Sequence, residues 1–360
     1  LKARAAISMA GHGGDTIAWL EDAGAWATSK AFADVAPRAA DAFVRSHPVD
    51  HDYERRWDLL HPASRYLFTD DGLAEQAPDG WTTRFPHTLS RPAGPDQIFY
   101  DNWRRTPFGD EYLGQMAAVL AKGYSRASGT DVLAVSFSAV DYVGHRFGPK
   151  SVEVQDTLAR LDVTIGRLLE TLDATVGRGR YTVALTGDHG VAPVPEQQAA
   201  LGIDAGRVVS TDALARIDAV LTGALGAGDH VLPGSADANN KATDVYFTPE
   251  VNQALAGNAS LRHRVTAAAE STPAIARAVW PAELNAPADA TTQALALSYR
   301  AERNGDLLLV AKPYWVAESG GTGHGTPYAY DQRVPVVLMG AGIKPGRYRM
   351  GDMINLTLRA

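Results

Sequence analysis

DVLAVSFSAVDYVGHRFGPKS (residues 131–151) and YTVALTGDHGVAPVPE (residues 181–196) decide the fold. Each opens on a short apolar run, Val132–Val140 and Tyr181–Thr186. Each run leads into a carboxylate with a histidine close behind, Asp141 and His145 in the first and Asp188 and His189 in the second. Between them Val152–Val176 sets Leu158, Leu161, Ile165, Leu168, Leu169 and Leu172 at helical spacing, which predicts one amphipathic helix. Strand, crossover helix and strand make a βαβ unit, so the two strands are expected to be parallel neighbours. Their C-terminal ends then open on one edge of the sheet, the edge at which open α/β sheets bind ligands. Four potential metal ligands meet there on pattern alone.

Further along, Gly320–Asp331 reads GGTGHGTPYAYD. Its glycines let the backbone bend round a ligand, and a histidine between two glycines, His324, has little to pack against. The short apolar runs Asp306–Ala311 and Val334–Met339 flank this loop as strands, and Gly-Ala-Gly-Ile-Lys-Pro-Gly follows as a turn.

Elsewhere the pattern is less directive. Residues 1–45 carry Trp19 and Trp26, read as packing residues, and His12, read as a loop histidine. Residues 46–109 are rich in proline, aspartate and aromatics, a loop-dominated stretch expected to drape over an active-site face. Its histidines, His47, His51, His61 and His87, share no metal-like spacing. Tyr112–Gly123 predicts a helix with a glycine stop. Asp212–Leu225 predicts another helix and Thr243–Thr248 a strand, while Ser260–Ser271 and Pro273–Val279 both look helical. A turn is expected near 235–241, and residues 198–304 as a whole read as an insertion into the core. There is no internal repeat.

Composition sets the outer bounds. A chain of 360 residues can bury a full core, and 45% hydrophobic with 21% charged residues is the balance of a globular domain. A net charge of −7 without a basic stripe argues against nucleic acid as a structural partner. The absence of cysteine excludes disulfides, thiolate zinc sites and a cysteine nucleophile. No apolar run approaches the length of a membrane span. The chain opens on Leu1-Lys2-Ala3-Arg4 without an initiator methionine, as expected of a processed or truncated product.

Five residues compete for a metal role: Asp141, His145, Asp188, His189 and His324. Zinc takes imidazole nitrogen and carboxylate oxygen, and it keeps a position open when catalytic. One such ion needs three protein ligands, so five from three segments suggest two ions. Two ions about 4 Å apart clamp the attacking and leaving oxygens of a phosphoryl displacement. The plainer reading of either Asp-His pair is a helix cap beside a surface histidine. Two pairs at adjacent strand ends, joined by a Gly-His-Gly loop, make coincidence a poor account.

DYVGHRFGPKSVEVQD, LTGDHGVAPVPE and HGTPYAYDQRVPVVLMGAGIKPG together resemble the alkaline phosphatase superfamily. The resemblance is closest to the branch shared by nucleotide pyrophosphatase/phosphodiesterases and the related single-chain bacterial alkaline phosphatases. It runs from the N-terminus to about residue 197 and resumes from about 305. It implies that Asp141, His145 and His324 hold one zinc and that Asp188 and His189 belong to the other. It also places Lys2 and Arg4 at the Lys-x-Arg pair that contacts phosphate in the monoesterase subgroup. Two cations suit a monoester dianion, and an arginine can bind it bidentately.

The family pattern also needs an aspartate for the second zinc and a threonine or serine nucleophile, both N-terminal to the Lys-x-Arg position. Neither is in this chain. Thr16, Thr28 and Thr326 lack the family context, and GDMINLTLRA at the C-terminus resembles the start of a following helix. The resemblance therefore implies a three-layer α/β/α sandwich with a largely parallel central sheet. Its core is residues 1–197 and 305–360, with inserted segments near 30–109 and at 198–304 capping the site.

The expected activity is that of a zinc-dependent phosphate monoester hydrolase. It would bind two Zn²⁺ and act through a covalent phospho-enzyme on small-molecule phosphate esters. One alternative is a phosphodiesterase or nucleotide pyrophosphatase. Another is a non-catalytic metal-binding fragment. A sulfatase is disfavoured, because no Cys/Ser motif that could become formylglycine is visible. The resemblance further implies an extracytoplasmic location, periplasmic or secreted. Nothing fixes the oligomeric state, and a monomer suffices.

Overall fold

The computed structural model describes residues 1–10, 13–14, 17–31, 38–124, 129–235 and 244–347. His12, Thr16, most of the turn expected at 235–241 and the C-terminal GDMINLTLRA lie outside the described residues. Helices and sheets are mixed throughout, an α/β fold. No described helix is long and apolar enough to cross a membrane.

Two packing units share the chain. The first centres on helices α1 (Ala3–Ala10), α2 (Pro107–Tyr124), α3 (Ala139–Phe147) and α4 (Val152–Leu172). Its core joins Val143 and Phe147 from α3 and Val154 from α4 to Trp57, Leu89, Phe99 and Trp103. The proline-rich stretch at 46–109 is thus loop-dominated in outline, yet its aromatic side chains form the back wall of α3. Trp19 is buried, and Trp26 stacks on Tyr112 with ring centres 5.6 Å apart, so both tryptophans pack as expected.

α3 starts where it does because a buried carboxylate caps it. Asp110, on α2, accepts the backbone N–H of Ser138 at 2.9 Å and of Ala139 at 3.2 Å. These are two of the amide donors that a helix N-terminus leaves unpaired. α3 stops at Gly148, whose φ of +83° favours glycine, and Ser151 then caps α4 by accepting from Val154 N.

Strand β1 (Thr182–Thr186) follows α4, as the periodicity predicts. The expected parallel pairing of Val132–Val140 with Tyr181–Thr186 does not form. Residues 131–138 carry no ladder, and residues 139 and 140 are already in α3. A strand needs a hydrogen-bonded neighbour, and among the described residues this segment has none. The capping carboxylate of Asp110 turns its end into a helix instead. β1 pairs antiparallel with a strand from the end of the chain.

The second unit occupies residues 206–317. Helix α5 (Ser210–Leu225) and strand β2 (Asp244–Val245) are followed by helix α6 (Ala259–Glu270) and strand β3 (Ile275–Val279). Strand β4 (Leu307–Ala311) lies between β2 and β3 in an antiparallel sheet. The helix expected over Pro273–Val279 is therefore a strand. With a buried neighbour available in β4, the β-branched Ile275 and Val279 take ladder positions, and a local turn preference loses to tertiary pairing. β4, expected in the catalytic core, ladders with β2 and β3 of the 198–304 segment. Ile217, Leu221, Val265 and Leu307 form that unit's core and are fully buried.

Strand β5 (Val336–Gly340) returns to β1 in register Val336↔Thr186 through Gly340↔Thr182. Among the described residues one two-residue ladder is parallel, Gly206–Arg207 with Trp315–Val316, and the others are antiparallel.

Candidate metal centre

Asp141 sits in the first turn of α3 and His145 one turn later, so both side chains leave the same face of the helix. His189 comes from the turn after β1, and His324 from the glycine-rich loop. The three histidines converge on one atom. Oδ1 of Asp141 lies 3.5 Å from His145 Nε2, 3.6 Å from His189 Nε2 and 3.4 Å from His324 Nε2. The ligand atoms of Asp141, His189 and His324 all fall within 4.8 Å of one another, the spacing of a metal-binding group. The rings of His189 and His324 stack face to face at 3.5 Å, and those of His145 and His324 are 5.0 Å apart.

Two of the imidazoles are set by backbone carbonyls. His145 Nδ1 donates to Thr322 O and His189 Nδ1 to Gly190 O, each at 2.8 Å. A carbonyl can only accept, so Nδ1 carries the proton in both rings. Nε2 then turns its lone pair toward Asp141, which is how outer-shell hydrogen bonds orient metal-binding histidines.

Backbone bonds tie the three segments together. Thr322 N donates to His145 O, Ala192 N to Gly323 O, and Gly190 N to Asp331 O. Thr322 Oγ1 also donates to Ala192 O at 2.7 Å, and Asp331 Oδ2 accepts from Thr326 N and Thr326 Oγ1. Glycine is required at two of these crossings. A Cβ on Gly321, whose φ is +60°, would sit 1.9 Å from His145 O, and one on Gly190 would sit 2.0 Å from Tyr330 O. Thr322, Asp331 and Asp110 are positioning residues that the sequence reading passed over. The sequence GGTGHG held a clue, since a threonine among such glycines is placed to hold a bend.

Lys2 forms an ion pair with Oδ2 of Asp141, opposite the histidines, and its Nζ lies 4.8 Å from the ring centre of Tyr142. Burial opposes the charged form of Asp141. The contact with His324 and the hydrogen bond and charge of Lys2 outweigh it, holding the carboxyl well below the usual carboxylate range.

Not every expected residue joins the group. The Asp188 side chain is 81% exposed, and it meets the cluster only through His189, at 3.6 Å. Arg4 is exposed on α1. The bland reading of the remaining histidines agrees with the structure where it describes them. His87 is fully buried against Trp57, Trp81, Phe85 and Phe147, with Nε2 3.1 Å from Glu153. His47 stacks on Phe43.

Known proteins bear on this geometry. The family model described as type I phosphodiesterase / nucleotide pyrophosphatase matches residues 18–331. The chain is 29% identical to a protein of Myroides odoratus named calcium-transporting ATPase, over 96% of this chain and 64% of that protein. It is 27% identical to the alkaline phosphatase PhoV of Synechococcus elongatus, over 98% of this chain and 64% of that protein. With the alkaline phosphatase PafA of Elizabethkingia meningoseptica it shares 28% identity, over 98% of this chain and 66% of that protein. The crystal structure of wild-type alkaline phosphatase PafA superposes with a TM-score of 0.80 at 27% identity, covering 96% of this chain and 66% of that one. The chain thus spans just under two thirds of the length of these relatives.

Proposed function

We propose, from the premise that the chain belongs to the type I phosphodiesterase / nucleotide pyrophosphatase family, that it carries the metal centre of a phosphate monoester hydrolase. The observation that supports this most is the meeting of three histidine Nε2 atoms on Asp141, with Lys2 on the far oxygen of the same carboxylate. One carboxylate oxygen and neutral imidazoles are the donor set zinc prefers in a catalytic site. In this reading Asp141, His145 and His324 hold one zinc, and Asp188 and His189 contribute to a second. Zinc bound there supplies a Lewis acid for phosphoryl oxygens and lowers the pKa of water to about 7.

The chain's own residues do the rest. Lys2 binds a non-bridging phosphoryl oxygen and Arg4 a second, donors whose charge matches the charge that develops on those oxygens. Thr322 O and Gly190 O keep the proton of His145 and His189 on Nδ1, so neither ring donates toward the phosphoryl group. The covalent step takes its threonine or serine nucleophile from outside these residues. Thr326, whose hydroxyl is committed to Asp331, is not available for it. The substrates are small phosphate esters. An extracytoplasmic location goes with this reading through the family resemblance, and cell fractionation tests it.

The family model's own description favours a second reading, phosphodiester or nucleotide pyrophosphate hydrolysis with Lys2 and Arg4 irrelevant. A third, metal binding without turnover, is an outcome of the same experiment. The full protein is loaded with zinc, its metal content is measured, and rates are taken on aryl phosphate monoesters and diesters. The first reading requires bound zinc and a monoester preference that Lys2→Ala and Arg4→Ala erase. A diester preference indifferent to both changes selects the second. Bound zinc with no turnover on either ester selects the third.

A further inference from the structure

Two of the candidate ligand histidines ride on separate segments, and one guanidinium joins those segments. His189 lies on the stretch that runs on to Glu196, in the short helix Pro195–Ala199, and His324 lies on the loop that follows Glu318. Arg207 reaches both. Its Nε and Nη2 donate to the two carboxylate oxygens of Glu196, at 2.9 and 2.7 Å. Nη1 donates to Glu318 O at 2.8 Å, and Nη2 donates also to Gly321 O at 3.0 Å.

Arg207 is itself fixed from behind. It stands at the head of the second unit, laddered in parallel with Val316, and Val208 N donates to Val316 O at 2.8 Å. A Cβ on Gly206 would sit 2.9 Å from the Trp315 ring, so the backbone there lies close against its neighbour. The Arg207 side chain is only 21% exposed. A pair between two solvent-exposed side chains contributes little, but this guanidinium is drawn mostly out of water and also holds backbone oxygens.

The contact with Gly321 reaches furthest into the centre. The Gly321 carbonyl and the Thr322 N–H belong to one planar peptide group. The oxygen accepts from Arg207 and the N–H donates to His145 O at 3.0 Å, so that plane is held at both ends. The next carbonyl, Thr322 O, accepts from His145 Nδ1 at 2.8 Å, and His324 follows two residues later. Gln76 closes on the same stretch: a Cβ on Gly320 would sit 2.4 Å from its Oε1.

We propose that Arg207 is a positioning residue for the metal centre, clamping the His189 and His324 segments together so that their imidazoles are set before a metal ion arrives. A guanidinium presents several donors in one plane, which the single nitrogen of a lysine cannot reproduce. The inference rests on the metal-centre reading and gives the second unit a part in it.

The test reads metal rather than turnover. Zinc affinity of the full protein is measured against a competing chelator for wild type, Arg207→Met and Arg207→Lys, and the metal-free proteins are melted alongside. Arg207→Met keeps the stem without the donors and is expected to bind zinc about tenfold more weakly, the lower end of what outer-shell partners contribute. Arg207→Lys keeps the charge but not the fork and should lose nearly as much. The visible absorption bands of bound Co²⁺ follow ligand geometry, so the cobalt-loaded variants should differ from the cobalt-loaded wild type. Unchanged zinc affinity and cobalt bands beside a lowered melting temperature would make Arg207 an ordinary structural residue and overturn the proposal. Full rescue by lysine would overturn it too, since charge alone would then suffice. If Arg207→Met does not fold, the lysine variant decides by the same two readouts. If the wild-type protein binds no zinc, the metal-centre reading falls and the clamp falls with it.

Discussion

β4 (LLLVA) and β5 (VVLMG) are five-residue apolar strands that no sequence pattern would rank apart, yet they meet opposite fates. β4 lies between two strands and under α6, and its first four residues are buried. Among the described residues β5 pairs with β1 alone, and all five of its residues are exposed. Apolar patterning announces a strand, and burial depends on the layers that come to cover it. The consequence for the candidate metal centre is direct. It lies on the open side, beyond β1, so it is held by loop-to-loop backbone bonds and by α3 rather than by a packed sheet.

That contrast predicts a large asymmetry in stability. Leu307→Ala in β4 empties fully buried volume and should cost about 2–5 kcal/mol. Leu338→Ala in β5, at an exposed position, should cost no more than about 0.5 kcal/mol. Denaturant melts of the two variants check this. Equal losses would mean that β5 is covered in solution and would break the comparison.

The centre itself should be separable from the fold. His324, with 23% of its side chain exposed, stacks on His189 rather than in an apolar core, so His324→Ala should leave the melting transition near that of the metal-free wild type. Metal affinity should fall by at least about 100-fold, since even outer-shell changes cost 10–100-fold. Metal titration beside a thermal melt reads both. A variant that loses metal and unfolds together would show that the loops depend on the centre, not the reverse.

Much of the centre was legible in the sequence because the chemistry fixes residue types. Asp141, His145, His189 and His324 were read from two Asp/His pairs and a Gly-His-Gly loop, and the structure brings their side chains together. The ladders were less legible. Whether residues 132–138 become a strand depends on a neighbour that no local pattern names. Asp110 turns the end of that run into α3 from 28 residues away, as acceptor to Ser138 N. Pro273–Val279 was misread for the same reason, since β4 decides its state. Asp188 was picked by its neighbour His189, but its side chain points to solvent, and a two-residue motif does not encode that direction.

The back of α3 is as dry as its front is open, and this gives stability a pH dependence. Burial pushes the Glu153 carboxyl up to about 8, with the charges of Asp70, Asp156 and Asp71 adding to the rise against a backbone hydrogen bond. Burial pushes His87 down to about 4. At neutral pH the pair is therefore a neutral carboxyl donating to a neutral imidazole. For Glu153 the folded value is the higher one, so its contribution is full below about pH 4.5 and is lost as pH rises through 8. For His87 the folded value is the lower one, so its contribution is present above about pH 6.5 and is lost as pH falls through 4. Glu153→Gln keeps a donor toward His87 and cannot ionise. It should therefore remove an alkaline loss on the order of 4 kcal/mol between pH 5 and pH 9. Melts of both proteins across that range check it, and parallel curves would assign the charge to the folded pair.

The smallest expected effect bears on the loops alone. Thr322 does two things: its backbone oxygen fixes His145, and its hydroxyl donates to Ala192 O beyond the other histidine loop. Thr322→Val keeps the shape and the backbone oxygen but leaves the buried carbonyl of Ala192 without that donor. The expected cost is about 1 kcal/mol of stability, one net hydrogen bond. If loop-to-loop bonding positions the centre, metal affinity should fall with it, by about tenfold, because the carbonyl that orients His145 is no longer pinned. If the stability loss appeared with metal affinity unchanged, the hydroxyl would be an ordinary packing contact. α3 and the backbone ties alone would then carry the geometry of the centre. Metal titration of this one variant therefore separates the two supports that the open side of the molecule offers its ligands.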